Sequence, residues 1–444
     1  MHQTVREFFR SDGPAARSKF RMKSNDAHMI ISTTCIRYLM LCVAKTVLIS
    51  RAAGGTGRAW TTENFETYAK YLSGRPFINY ALEYAERHRE RCGQVAGDFE
   101  LISQLHTKAS NSPATYIFRF LIPGNEQQDD GKDFRGQLLH AATRMKYSQV
   151  VEALIIAGAE AEACLDGKTP LMVTAVSGDL ATARVLLDRG ALTGAEDDNK
   201  QTALHLAAAN GHNSVVGLLI DRGADKEARE KKAQTPLHLA AANGHSPVAE
   251  LLIDRGADKE VKDNEDQTPL HLAAVEGHEP VTGLLIDRGA NKEAKDRDDR
   301  TALHLAAGNG HNPVIVLLVD RGANEKAKDV FGWGLLHTAA WNDQEATIQI
   351  LVKTWNANRE ERDRSGWTAL HVAAMNGCDT AIQCLIEHWD ADRDAKDVMG
   401  WTALHFVAAL GLGETAKLLV KTLGVDRSAR NEMEKTAEDL AKKL

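Results

Sequence analysis

Twelve of the 17 histidines in this chain fall into two regular series, and their spacing decides what chemistry they can do. Histidine is the usual general base near neutral pH and a common metal ligand, so its abundance first suggests catalysis or zinc. The first series is His140, His205, His238, His271, His304, His337, His371 and His405; the second is His212, His245, His278 and His311, each after a glycine. From His205 to His337 the first series repeats every 33 residues, and His371 and His405 follow at 34. Zinc needs ligands ~2 Å from one point, whereas copies of a repeated helical unit stack ~10 Å apart. A ladder of this kind cannot close on a metal, so a structural role is expected for all eight first-series histidines.

Other constellations are weaker. Ala53-Gly54-Gly55-Thr56-Gly57 is glycine-rich, but no strand pattern precedes it and no Lys-Ser/Thr follows, so it reads as a connection. No Gly-x-x-x-x-Gly-Lys-Ser/Thr occurs in the chain. Cys35, Cys42, Cys92, Cys164, Cys378 and Cys384 form no Cys-x-x-Cys pair, and none sits in a recognisable nucleophile context. Scattered cysteines fit a reduced cytoplasmic or nuclear setting. No enzyme activity, cofactor or metal is expected.

The elements that carry the histidines are readable from the period. Each unit opens on a tetrapeptide such as Thr235-Pro236-Leu237-His238 or Thr301-Ala302-Leu303-His304. Proline at a first helical position needs no backbone donor, so the tetrapeptide predicts a helix start. A glycine turn, a second helix ending in Leu-Leu-Ile, and Asp-Arg-Gly-Ala follow. Gly223, Gly256, Gly289 and Gly322 stand where a left-handed glycine ends a helix. Fixed-period units of this length predict an all-α solenoid. The pattern resembles the ankyrin repeat family over about 133–444. That implies ten helix-turn-helix units, the last incomplete and forming a polar cap from about 426. The resemblance further implies that each tetrapeptide histidine bonds the neighbouring threonine and backbone of the adjacent unit, and that the protein binds another protein.

Residues 26–122 show helical pattern without repeats, behind a basic tail over 1–25. The apolar stretch from Met29 to Ser50 is interrupted by Arg37 and Lys45, which argues against a membrane span. His28, Cys35-Ile36-Arg37-Tyr38-Leu39 and Pro76-Phe77-Ile78-Asn79-Tyr80-Ala81 with Tyr84, Ala85 and His88 resemble the segment before the repeats in fungal NACHT–ankyrin proteins. One alternative to a scaffold is therefore a sensor or regulatory fragment of a fungal NACHT-type receptor; another is an accessory protein of a fungal secondary-metabolite pathway, where stand-alone ankyrin proteins also occur. Residues 1–135 carry 19 Lys+Arg against 14 Asp+Glu, and the remainder 35 against 47. An acidic array argues against nucleic acid as the partner.

Partner specificity must lie where units differ. Before the tetrapeptide stand Gln201, Gln234, Gln267 and Arg300, then Trp333, Trp367 and Trp401. Trp341 ends a first helix, and Phe331, Val330, Val398 and Met399 replace charged residues at hairpin tips. The groove is thus expected to be polar in the middle and apolar in the C-terminal third. Phe331, Trp333, Trp341, Trp367, Met399 and Trp401 are the candidate partner-binding residues. The competing expectation is that the rings stack on one another and only stiffen the hairpins.

Overall fold

The computed structural model describes residues 158–442, together with 136, 139, 140, 142–144, 146 and 148–156. The basic tail and the region over 26–122, with its resemblance to NACHT–ankyrin proteins, lie outside the described residues. The chain divides into two units, Met1–Asp198 and Asn199–Leu444. Among the described residues the regular structure is helical: 18 α-helices and no strand.

In the first unit, α1 (Ser148–Ile156) and α2 (Pro170–Ser177) both pack on α3 (Leu180–Asp188). Thr169 caps α2 with Pro170 at the first position, and Gly178 ends it in the left-handed region. Where other units carry histidine, Met172 offers only sulfur, which accepts the Thr169 N–H at 3.4 Å.

The second unit is a run of helix pairs. First helices are α4 (Ala203–Ala209), α6 (Pro236–Ala242), α8 (Pro269–Val275), α10 (Ala302–Gly308), α12 (Leu335–Trp341), α14 (Ala369–Asn376), α16 (Ala403–Ala409) and α18 (Ala437–Ala441). Each packs on the next. Buried alanines such as Ala240, Ala241, Ala273 and Ala274 let the backbones approach closely. Second helices are α5 (Asn213–Asp221), α7 (Ser246–Asp254), α9 (Glu279–Asp287), α11 (Asn312–Asp320), α13 (Glu345–Trp355), α15 (Asp379–Gln383) and α17 (Gly413–Lys417). They bury Val, Leu and Ile against the first helices. Gly223, Gly256, Gly289 and Gly322 adopt φ between 76° and 84° after these helices, as the sequence predicts. Where the period lengthens, the extra residue is absorbed differently. Helix α13 runs on to Trp355 and ends at left-handed Asn356, whereas α15 and α17 continue as single π turns, Cys384–His388 and Leu418–Thr422.

The histidines tie each unit in both directions. In the consensus units the Thr235 N–H reaches His238 Nδ1 at 3.1 Å, with Thr235 Oγ1 at 2.9 Å, and His238 Nε2 meets the Gln267 carbonyl of the next hairpin at 3.1 Å. A carbonyl only accepts, so the proton sits on Nε2 and the ring is neutral. The same forward bond joins His205 to Gln234, His271 to Arg300, His337 to Trp367, His371 to Trp401 and His405 to Lys435. In the first unit His140 reaches Ala163. His304 faces the Trp333 carbonyl without meeting hydrogen-bond geometry. The second series points backward: His245 to the Ala209 carbonyl, His278 to Ala242 and His311 to Val275. Cys378 takes that place later, its Sγ donating to Trp341 O at 3.1 Å.

Candidate interaction surface

From the Thr235 unit to the Thr402 unit the chain makes, before each tetrapeptide, a tight hairpin built on one acid. Asp363 Oδ1 accepts the N–H groups of Ser365 and Trp367, both at 2.8 Å. Asp397 does the same for Met399 and Trp401, and Asp329 for Phe331 and Trp333. The second carboxylate oxygen is offered to the preceding unit. Gln234 Nε2 donates to Asp263 Oδ2 at 3.0 Å, and the tryptophans continue the same device. Trp333 Nε1 donates to Asp363 Oδ2 at 3.0 Å, and Trp367 Nε1 to Asp397 Oδ2 at 3.1 Å. Arg300 departs from it and pairs with Asp296 and Asp298 instead. At Trp401 the facing position holds Asn431, whose Oδ1 serves Met433 and Lys435 while its buried Nδ2 has no partner.

The rings form two clusters. Phe331, Trp333 and Trp341 make one, with centroids 5.8 Å and 5.4 Å apart along the chain of contacts. Trp367 and Trp401 meet on Phe406, at 5.3 Å and 5.0 Å. Tilted and edge contacts of this kind add to burial. Phe406 was not among the residues expected to matter; its signal was a phenylalanine at the position held by Leu206, Leu239, Leu272 and Leu305. Trp341, expected to be exposed, is half-buried against Trp333, as are the other ladder tryptophans. Phe331 and Met399 lie out in solvent, 59% and 48% exposed. Val398 at 62% and Met433 at 52% belong with them.

The chemistry of the remaining groups is quiet. Burial lowers the pKa values of the tetrapeptide histidines His140, His238, His271, His304, His337, His371 and His405, that of His238 to about 4. They are therefore neutral hydrogen-bonding groups at pH 7. Burial pushes the Cys384 thiol up to about 11, away from the reactive thiolate. Among the described residues no group of three or more His, Cys, Asp or Glu is placed to hold a metal. Nor is any described helix long and apolar enough to cross a membrane. A cleft of about 440 Å³ between α15 and α17 is lined by Asp379, Gln383, Glu414, Lys417 and Lys421, with Glu414 and Lys417 ion-paired to each other. It is an open, solvated helix surface.

No curated protein matches the chain. The family model for ankyrin repeats in three copies matches residues 105–197, 138–230, 191–263, 224–296, 293–363 and 336–431 in overlapping registers. Such repeats are generally protein–protein interaction modules. Together with the paired helices, the left-handed glycines and the two-way histidine bonds, the match over 105–431 means that the chain belongs to the ankyrin repeat family.

Proposed function

We propose that this protein is a non-catalytic scaffold that holds a protein partner on the hairpins and first helices of its C-terminal third. The observation that carries the reading is the concentration of exposed apolar side chains there. Val330, Phe331, Val398, Met399, Leu410 and Met433 lie within one stretch, while the remainder of the described array contributes only Val176, Leu192 and Val316 among large exposed hydrophobics. Isolated apolar residues are ordinary on a surface, but their recurrence at three of four neighbouring hairpin tips marks a site that is covered in use. The half-buried tryptophans beneath supply a rigid floor, and aromatic anchors of this kind dominate binding energy where they are fully desolvated.

The test uses the tips and leaves the tryptophans intact, because the indoles of Trp333 and Trp367 also hold the hairpins together. In the full chain, Phe331→Ser/Met399→Ser should abolish partner recovery from the native cell extract with the melting temperature nearly unchanged. Full recovery of the same partners by this variant would sink the reading and move attention to the polar hairpins of Gln234 and Gln267.

A further inference from the structure

Successive hairpin tips are joined by backbone hydrogen bonds, which fixes the order of side chains along the stripe. Arg364 N donates to Phe331 O at 3.3 Å, Val398 N to Ser365 O at 3.4 Å, and Glu432 N to Met399 O at 3.1 Å. Arg364 therefore sits between Phe331 and Val398, and Glu432 beyond Met399. The glycines make the stacking close. At Gly332, Gly366 and Gly400, with φ of 85°, 77° and 71°, a Cβ would come within 3.1 Å of the next tip's backbone nitrogen.

The charges on this stripe differ from those in the middle of the array. There Arg297 pairs with Glu265 at 3.0 Å and Arg300 with Asp298 at 3.0 Å. The exposed Lys231 and Lys232, though without an ion pair among the described residues, are followed by the polar tip of Asn264 and Glu265 rather than by apolar ones. In the C-terminal third the exposed Arg364 and Glu432 have no ion pair and no side-chain hydrogen bond among the described residues, and each is flanked by exposed apolar tips. An isolated charge beside apolar surface is best satisfied by an opposite charge brought in with an apolar neighbour.

We propose, resting on the scaffold reading above, that the occupant is an extended peptide segment of another protein whose side chains run apolar, acidic, apolar, basic along the stripe. The acidic residue pairs with Arg364 and the basic one with Glu432, while the apolar residues cover Phe331 and the Val398–Met399 tip. A hairpin two chains wide occupies ~10 Å, and an extended chain advances ~3.3 Å per residue, so the four positions fall about three residues apart.

The probe is a displayed library of random peptides of about 12 residues, long enough to span the four tips. It is panned on the full chain and, in parallel, on Arg364→Glu. The expected result is enrichment of an acidic residue about three positions from apolar ones on both sides. Arg364→Glu should bind the selected peptide at least about tenfold more weakly, the loss of one well-placed charge pair, and should select a basic residue at that position instead. Arg364→Gln, which adds no new charge, should weaken binding without selecting the basic residue. Enriched peptides lacking the acidic preference, or equal affinity for all three proteins, would overturn the charge order. If affinity then depends on Phe331→Ser/Met399→Ser alone, the scaffold reading stands and this inference fails. Insensitivity to every one of these variants defeats both.

Discussion

The indole N–H of Trp367 donates to Asp397 Oδ2 at 3.1 Å, on the same carboxylate whose other oxygen gathers the Met399 and Trp401 amides. A ring on one hairpin thus sets the geometry of the next. Trp367→Phe keeps the ring and removes the donor, leaving a carboxylate oxygen short of a partner, at a cost of about 1–3 kcal/mol. Trp401→Phe faces Asn431 and should cost less. Urea denaturation of the two variants side by side checks the difference, and equal midpoints would contradict it.

Asn431 holds the hairpin by Oδ1 but buries Nδ2 without a partner. Asp329, Asp363 and Asp397 occupy the same place in earlier units. Asn431→Asp should remove the orphaned donor, give Trp401 an acceptor and stabilise the C-terminal units by about 1 kcal/mol. A melting temperature at or below that of the parent would show that the Trp401 indole does not reach this carboxylate.

His337 Nδ1 is buried and unpartnered, because Gly334 stands where neighbouring units have threonine. Gly334 has φ −94° and ψ −176°, an extended conformation open to any residue, and an added Cβ would meet only the end of Glu361, at 3.2 Å. Gly334→Thr should therefore restore the cap and raise stability by about 0.5–2 kcal/mol. A lower urea midpoint would mean that Glu361 cannot yield.

Burial lowers the tetrapeptide histidine pKa values below the ordinary 6.5, to about 4 at His238. The unfolded chain then binds more protons than the folded one between about pH 4 and 6.5. For His238, stability is fully present above that window and falls as pH drops through it, and the other tetrapeptide histidines, lowered by the same burial, act in the same direction. Urea midpoints at about pH 7.5 and 5.5 should differ in that direction, with a shallower dependence in His238→Gln. A midpoint that holds or rises on acidification would refute this.

The sequence made the local parts of this fold legible. Thr235 and His238 are three residues apart, so their bond is written into one turn, and the left-handed glycines follow from the same short range. The aromatic surface was only half legible. Trp333, Trp367 and Trp401 announced themselves by period, but Phe406 joins Trp367 to Trp401 across a unit boundary that linear spacing does not reveal. Arg364 and Glu432 could not be singled out in a chain that is 26% charged, since what distinguishes them is the exposed apolar tips that stacking brings beside them.

The opposed directions of the two histidine series bear on how such a gene changes. Between Thr235 and Thr301 every junction is closed by one ring reaching forward and another reaching back. Unequal crossing-over that removes or adds one whole 33-residue period rejoins each ring to an equivalent carbonyl, wherever in the period the break falls. A break out of phase misplaces both bonds unless the second helix absorbs the difference, as the longer α13 and the π turn after α15 do in the 34-residue units. Whole-period steps therefore leave every junction of this part of the array as it was, and any other step has to be taken up inside a second helix.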